Sequence, residues 1–129
     1  MAKRTLTPEA ALDKVREIAF ALPEVSERLS HGSPSFFIRG KKTLCSFHDD
    51  HHGDGRLALW IPAAAGVQEE LIRLEPDRFF KPPYVGPSGW FGLLLNVDPD
   101  WDELANILED AYRHVGPKKL IALLDEPAP

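Results

Sequence analysis

Cysteine, cationic side chains and long apolar runs are all scarce in this sequence, and each shortage excludes a class of protein. A single Cys among 129 residues excludes an intrachain disulfide, and one Cys with five His cannot form a four-cysteine zinc site. Fifteen Lys and Arg against twenty Asp and Glu leave a net charge of -5, too acidic for a protein that coats polyanions non-specifically. No apolar run approaches the ~20 residues of a membrane span. We therefore expect a soluble, cytoplasmic protein in a reducing compartment.

Three helices are indicated by caps and by apolar side chains at helical spacing. Thr7 is placed as an N-cap before Pro8, and Asp100 caps the third helix, with Glu103 completing a capping box. A shorter second helix is predicted over residues 63–74. The apolar stripes of the first and third helices are Leu12, Val15, Ile18, Ala19 and Leu22, and Leu104, Ile107, Leu108, Ala111 and Val115.

Strand-like alternation fills most of the remaining chain, in segments separated by turn residues. The predicted strands cover residues 25–29, 36–38, 43–48, 56–61, 79–80 and 90–97, with a tight hairpin turn over 39–42. Sequential hairpins with helices before, between and after them predict a single antiparallel sheet with its helices packed on one face. The predicted class is therefore α+β, as one domain over residues 1–129 with its core in 7–121 and a frayed C-terminal tail.

A dense cluster of histidine and aspartate side chains occupies residues 48–54. These are ligand types that Zn, Ni or Mn accept, but the spacing is poor and a hairpin loop lacks rigid elements to hold the ligands. Asp, His and Gly are also ordinary turn residues, so the segment is interpreted as a solvated loop. We predict no metal and no other cofactor.

Signals for catalysis are weak. The sequence has no G-x-S-x-G elbow, no phosphate-binding loop and no H-E-x-x-H motif. Cys45 has mostly apolar neighbours, so it is interpreted as a small buried hydrophobe rather than a reactive thiol. His31 has the chemistry of a general base, but no partner for it can be named and a loop histidine is the simpler interpretation. The sequence thus assigns no reaction and favours a protein that is not an enzyme.

Two segments have the composition of a recognition surface. Arg39, Lys41 and Lys42 crowd one hairpin tip, which is either a wing that contacts phosphates or an ordinary solvated turn. Residues 78–90 combine aromatics, cations, prolines and glycines, which suit a recognition loop. The alternative is that Tyr84 and Trp90 are core aromatics. From the backbone restrictions imposed by Pro and Gly, we expect Lys81, Tyr84 and Trp90 to converge beside one cleft.

Three blocks of sequence carry a resemblance to a known family. They are HGSPSFFIRGK at residues 31–41, KPPYVGPSGW at 81–90, and DWDEL at 100–104 followed by Ala111-Tyr112 and Lys118-Lys119. Their order and spacing resemble the MmcQ/YjbR-like family of small bacterial proteins. The resemblance implies an α+β domain similar to the double-wing domain of a phage transcription factor, with a DNA-binding role. It also implies that Arg39 and Lys41 are wing cations and that Lys81, Tyr84 and Trp90 form a loop site.

Three hypotheses for function follow. The first is a nucleic-acid-binding module, with Arg39, Lys41 and Lys42 on phosphates and Tyr84 or Trp90 stacked on bases. The second is a small-ligand binder or enzyme whose cleft is lined by His31, Lys81, Tyr84 and Trp90. The third is a protein-interaction domain that presents its polar hairpins. A continuous positive face favours the first and a closed pocket with convergent polar groups the second; the sequence leaves the oligomeric state open.

Overall fold

Six strands form one antiparallel sheet in a computed structural model of the chain, which describes residues 6–96 and 99–126. The strands are β1 (Val25–Ser30), β2 (Ser33–Ile38), β3 (Lys42–Asp49), β4 (Leu57–Ile61), β5 (Phe79–Phe80) and β6 (Phe91–Leu94). They lie in the order β1-β2-β3-β4-β6-β5, and every neighbouring pair is antiparallel. The predicted α+β class is confirmed.

Four helices accompany the sheet: α1 (Pro8–Phe20), α2 (Val67–Leu74), α3 (Trp101–Val115) and α4 (Lys118–Leu124). Apolar side chains of α1, α3 and α4 pack on one face of the sheet and enclose the main core there. The predicted N-caps are present, since Thr7 Oγ1 accepts from Ala10 N–H and Asp100 Oδ1 accepts from Glu103 N–H. Within residues 6–96 and 99–126, no helix is long and apolar enough to cross a membrane.

Some predicted boundaries were wrong. The second helix begins at Val67 rather than residue 63, because Gly66 has a left-handed backbone with φ of 90° and the chain turns there. Glu103 does not complete a capping box, because its carboxylate binds the guanidinium of Arg78 instead. The last strand ends at Leu94; Val97 of its predicted range and the predicted frayed tail from residue 127 lie outside the described residues.

A bulge in β3 sets which side chains face the helices. Phe36 is opposite Cys45 while Phe37 is opposite Thr43, so Leu44 is an extra residue in β3. Leu44 and Cys45 consequently both lie in the main core, fully buried. Burial raises the pKa of the Cys45 thiol, because the thiolate would lose its hydration there, and the prediction of a small buried hydrophobe is confirmed.

The other face of the sheet, here called the open face, carries no helix from the main core. Ala58, Trp60 and Phe80 form a second small cluster on it, to which Val85 and Trp90 of the following loop are added. Gly92 pairs with both Trp60 and Phe80 in the sheet, and a Cβ there would lie 2.3 Å from the Phe80 ring. Glycine at this position therefore lets the Phe80 ring lie across the sheet.

Candidate ligand-binding site

A pocket lies on the open face, between the sheet and two loops that cover part of it. One loop, residues 50–56, joins β3 to β4, and the other, residues 81–90, joins β5 to β6. The pocket encloses about 870 Å³, within the size range of small-molecule sites. Hydroxyl, imidazole and aromatic side chains line it, and no Lys, Arg, Asp or Glu of the described residues does so. The sheet contributes Ser30, Ser33, Ser35, Phe37, Thr43, Ser46, His48 and Trp60.

His48 is the centre of the pocket's polar side. Its ring stacks on Trp60 with centroids 3.5 Å apart. Ser46 Oγ lies 2.8 Å from Nε2 and Ser33 Oγ lies 3.2 Å from Nδ1, so both ring nitrogens have a hydroxyl partner. Burial, helped by the neighbouring His51, lowers the pKa of His48 to about 4. The imidazole is therefore neutral at pH 7, with one nitrogen donating and the other accepting.

The loop over residues 50–56 turns its imidazoles inward and its carboxylates back onto its own backbone. His51 packs edge-on against His48 and Trp60, with ring centroids at 5.3 and 4.9 Å. Asp50 Oδ1 accepts from Gly55 N–H at 2.7 Å and Asp54 Oδ1 accepts from Arg56 N–H at 2.9 Å. The interpretation of residues 48–54 as a solvated loop is therefore wrong for His48 and His51, because both rings pack against Trp60.

His51 also leaves a polar atom unsatisfied. Its Nε2 is buried and, among the described residues, has no hydrogen-bond partner. Buried polar atoms are nearly always paired in folded proteins, so an unpaired imidazole nitrogen at the edge of a pocket calls for an explanation. The described residues contain no group of three or more His, Cys, Asp or Glu arranged to hold a metal ion. His51 itself lines the pocket, but this nitrogen has almost no accessible surface and does not open into it.

The loop over residues 81–90 supplies the aromatic rim. The side chain of Tyr84 is 73% exposed, and its hydroxyl is 3.5 Å from His52 Nε2 on the opposite loop, at the limit of hydrogen bonding. Trp90 is half-buried beside it. Gln68, buried on α2, donates from Nε2 to the carbonyls of Gly86, at 2.8 Å, and of Trp90. These two hydrogen bonds attach the loop to α2 and so set the position of the aromatic rim, Tyr84 and Trp90.

The chain resembles known proteins in both sequence and fold. The YjbR family model matches residues 20–114. The chain belongs to the YjbR family. The crystal structure of the Deinococcus radiodurans protein DR2400, a DUF419 domain, superimposes with a TM-score of 0.70 at 18% identity, covering 95% of this chain and 93% of that one. At this identity the likeness shows the fold alone. No curated protein matches the chain.

In this YjbR protein, three of the four residues that the sequence analysis assigned to a ligand cleft line one pocket. His31, Tyr84 and Trp90 all contribute to it. Lys81 does not: it is exposed, and its aliphatic chain packs against Gly86, where a Cβ would lie 2.7 Å from Lys81 Cγ. The expectation that Lys81 converges with the two aromatics is therefore wrong in geometry.

The cations of the basic hairpin tip do not line the pocket, although Phe37 and Thr43 beside the tip do. Arg39, Lys41 and Lys42 flank the β2–β3 turn, whereas His31 lies in the β1–β2 turn at the opposite end of β2. The guanidinium of Arg39 forms a two-pronged pair with Glu24, at 3.0 and 3.2 Å. The structure thus brings the wing residues together with each other but not with the loop site.

Several pocket residues of this YjbR domain escaped the sequence analysis, although a signal for them exists. Ser33 and Ser35 in β2 and Ser46 in β3 are polar residues at alternate positions of strands whose other face is apolar, and they continue to His48, which the sequence analysis had assigned to a solvated loop. Such a pattern normally marks a solvated face, yet Ser35 and His48 are buried. Gln68 gave no signal, because a glutamine in the first turn of an amphipathic helix is usually exposed.

Proposed function

We propose that this protein binds a small molecule in the open-face pocket. The observation that carries the proposal is the pocket itself, of about 870 Å³, lined by hydroxyl, imidazole and aromatic side chains, among which His48, Ser33 and Ser46 are joined by hydrogen bonds. Burying polar groups on a sheet face is costly unless each is satisfied, and apolar side chains would pack there more easily. A ligand that enters the pocket would hydrogen-bond to the hydroxyl and imidazole groups that line it, which accounts for the polar lining.

The distribution of cations supports this reading over a nucleic-acid site. Carboxylates bind Arg16, Arg39, Arg73, Arg78 and Arg113. Arg28 and Arg56 lie over the rings of Phe37 and Phe80, 3.6 and 4.0 Å from the ring centroids. These guanidinium groups are engaged within the protein, and a net charge of -5 opposes approach to a polyanion. We therefore rank DNA binding, which the family resemblance implies, second.

DNA binding has two specific features in its favour. Lys41 and Lys42 are exposed at the hairpin tip, and the exposed ring of Tyr84 is available for stacking. The two features lie at different ends of the sheet, so one nucleic-acid strand would have to cross the open face to use both. This arrangement supports DNA binding less directly than the pocket supports a small ligand.

Catalysis is less favoured than binding at this site. Ser46 and His48 have the separation of a nucleophile and its base, with Ser33 holding the other imidazole nitrogen. However, a histidine whose pKa is lowered to about 4 is a weak base at neutral pH. Its hydrogen-bonding role toward a ligand needs no such basicity. We therefore propose a binding domain in the cytoplasm, as expected from the sequence, rather than an enzyme.

The experiment uses two matched variants and two kinds of ligand. The wild-type chain, Tyr84→Ala and a Lys41→Ala/Lys42→Ala double variant are screened against a small-metabolite library and against single- and double-stranded oligonucleotides at low and moderate salt. We expect a metabolite whose affinity falls in Tyr84→Ala and stays unchanged in the double variant. Binding of oligonucleotides alone, abolished in the double variant, would overturn the proposal and establish the DNA-binding alternative.

A further inference from the structure

The pocket is built without formal charge. No acidic or basic side chain apart from histidine is among its lining residues within the described ranges, and the two nearby carboxylates, Asp50 and Asp54, accept hydrogen bonds from their own loop. A charged group placed in such a site would lose its hydration without gaining a counter-ion, which is strongly unfavourable. The lining therefore discriminates against a ligand that buries a phosphate, a carboxylate or an ammonium group.

The apolar surface of the pocket consists mainly of planar rings, with Val85 as an aliphatic side chain among them. Tyr84 and Trp90 stand on one side, and the stacked pair of His48 and Trp60 forms the other. Of these, Tyr84 has the most accessible ring surface. Ring faces attract other rings through offset stacking and edge-to-face contact, which adds to the simple burial of apolar area. The aromatic lining therefore favours a flat ligand.

The pocket also offers hydrogen bonds that only a polar edge can use. The neutral imidazole of His48 accepts a hydrogen bond from one serine hydroxyl and donates one to the other. One of the two serines thus keeps its own O–H for a ligand, and the other keeps a lone pair. The imidazole of His51, which also lines the pocket, adds a third position. A pure hydrocarbon would leave all three unsatisfied.

We infer that the buried part of the ligand is an uncharged heteroaromatic ring with hydrogen-bonding groups at its edge. The inference rests on the proposed function and specifies the chemical class of its ligand. A heterocyclic amide or a free nucleobase has this chemistry. The ring lies against Tyr84, and its polar edge reaches His51.

Three single-ring probes of similar size separate charge from aromaticity. Nicotinamide is aromatic and uncharged, nicotinate is aromatic and anionic, and cyclohexanecarboxamide is uncharged and not aromatic. Dissociation constants for the full chain are measured at neutral pH from chemical-shift changes. We expect nicotinamide to bind about tenfold or more tightly than nicotinate, because the anion would be buried unpaired. Cyclohexanecarboxamide should bind about threefold or more weakly than nicotinamide, because it cannot stack.

A pair of histidine variants tests the polar edge. His51→Ala should weaken nicotinamide about fivefold or more, whereas His114→Ala, an exposed position on α3, should not change its affinity. Because His51→Ala removes packing against Trp60, melting curves accompany both variants, and His51→Gln, which restores a polar group, should recover part of the affinity.

The outcomes separate the ligand class from the binding function. Equal or tighter binding of nicotinate or cyclohexanecarboxamide in the pocket would overturn the inferred class and leave small-molecule binding intact. An unchanged affinity in His51→Ala would remove the polar edge from the inference. If no probe binds but the metabolite library yields a charged pocket ligand, the inferred class is wrong. If nothing from either set binds in the pocket, both proposals fail.

Discussion

The two faces of the sheet are both well buried, but they achieve it with different chemistry. The helix-covered face packs apolar side chains such as Leu44, Cys45 and Leu108, whose burial is complete. The open face buries His48 and Ser35 in hydrogen-bonded contact with other polar groups. Apolar packing stabilises whichever partner it meets, whereas a polar network is costly unless it is satisfied. The comparison teaches that the first face makes the fold, and it agrees with our proposal that the second binds a ligand.

The largest effect should come from the helix-covered face. Leu108→Ala removes a fully buried side chain from α3 and leaves a cavity against the sheet, so we expect a loss of about 2–5 kcal/mol in the free energy of unfolding. Urea denaturation measures it. A loss below about 1 kcal/mol would mean that α3 does not seal the core, and the contrast between the faces would disappear.

The open face should respond to pH where the covered face does not. His48 has a folded pKa near 4 against an ordinary value of 6.5, so between these values the unfolded chain binds more protons. Stability from this residue is therefore complete above about pH 6.5 and is lost as the pH falls to about 4, at most about 3 kcal/mol. His48→Gln, which does not titrate, should lack this part of the pH dependence in parallel denaturation curves. The same pH dependence of stability in wild type and variant would show that the imidazole is not buried as described.

The anchoring of the aromatic rim gives the next smaller effect. Gln68→Leu leaves the carbonyls of Gly86 and Trp90 without their donor, so we expect a loss of about 1–3 kcal/mol and weaker ligand binding. Glu69→Ala, at an exposed position one residue along α2, is the matched control and should change stability by less than about 0.5 kcal/mol. Equal effects from the two substitutions would remove Gln68 from the account of the site.

The smallest expected effect is none at all. Because we predict that residues 48–54 hold no metal, incubation with a chelator should leave the melting temperature unchanged. A fall of several degrees, reversed by adding back a divalent ion, would assign the inward histidines to a metal and change the nature of the open face.

The covered face was accessible from sequence and much of the open face was not. Apolar periodicity predicted the helix stripes and the antiparallel sheet, because burial against a sheet demands such spacing. The β3 bulge was not predicted, since adjacent Leu44 and Cys45 give no sign of which one is the extra residue. Tyr84 and Trp90 were singled out because their loop is unusual in composition.

The inward direction of His51 could not be predicted. It depends on left-handed backbones at Asp50 and His52 and on contact with Trp60 in the next strand. Lys81 was misplaced for a similar reason, because the direction of its side chain depends on the gap left by Gly86. Sequence spacing predicts the period of a strand, but it does not predict the path of a loop across a sheet.

The central claim, that the open face is the binding face, is tested most directly by the three tryptophan indoles. Trp60 and Trp90 line the pocket, whereas Trp101 packs on the helix-covered side. In a ¹⁵N-labelled sample of the full chain, titration with a ligand from the metabolite screen should move the indole N–H signals of Trp60 and Trp90 and leave that of Trp101 in place. A ligand that moves only Trp101, or only the backbone signals of residues 39–42, would contradict the account.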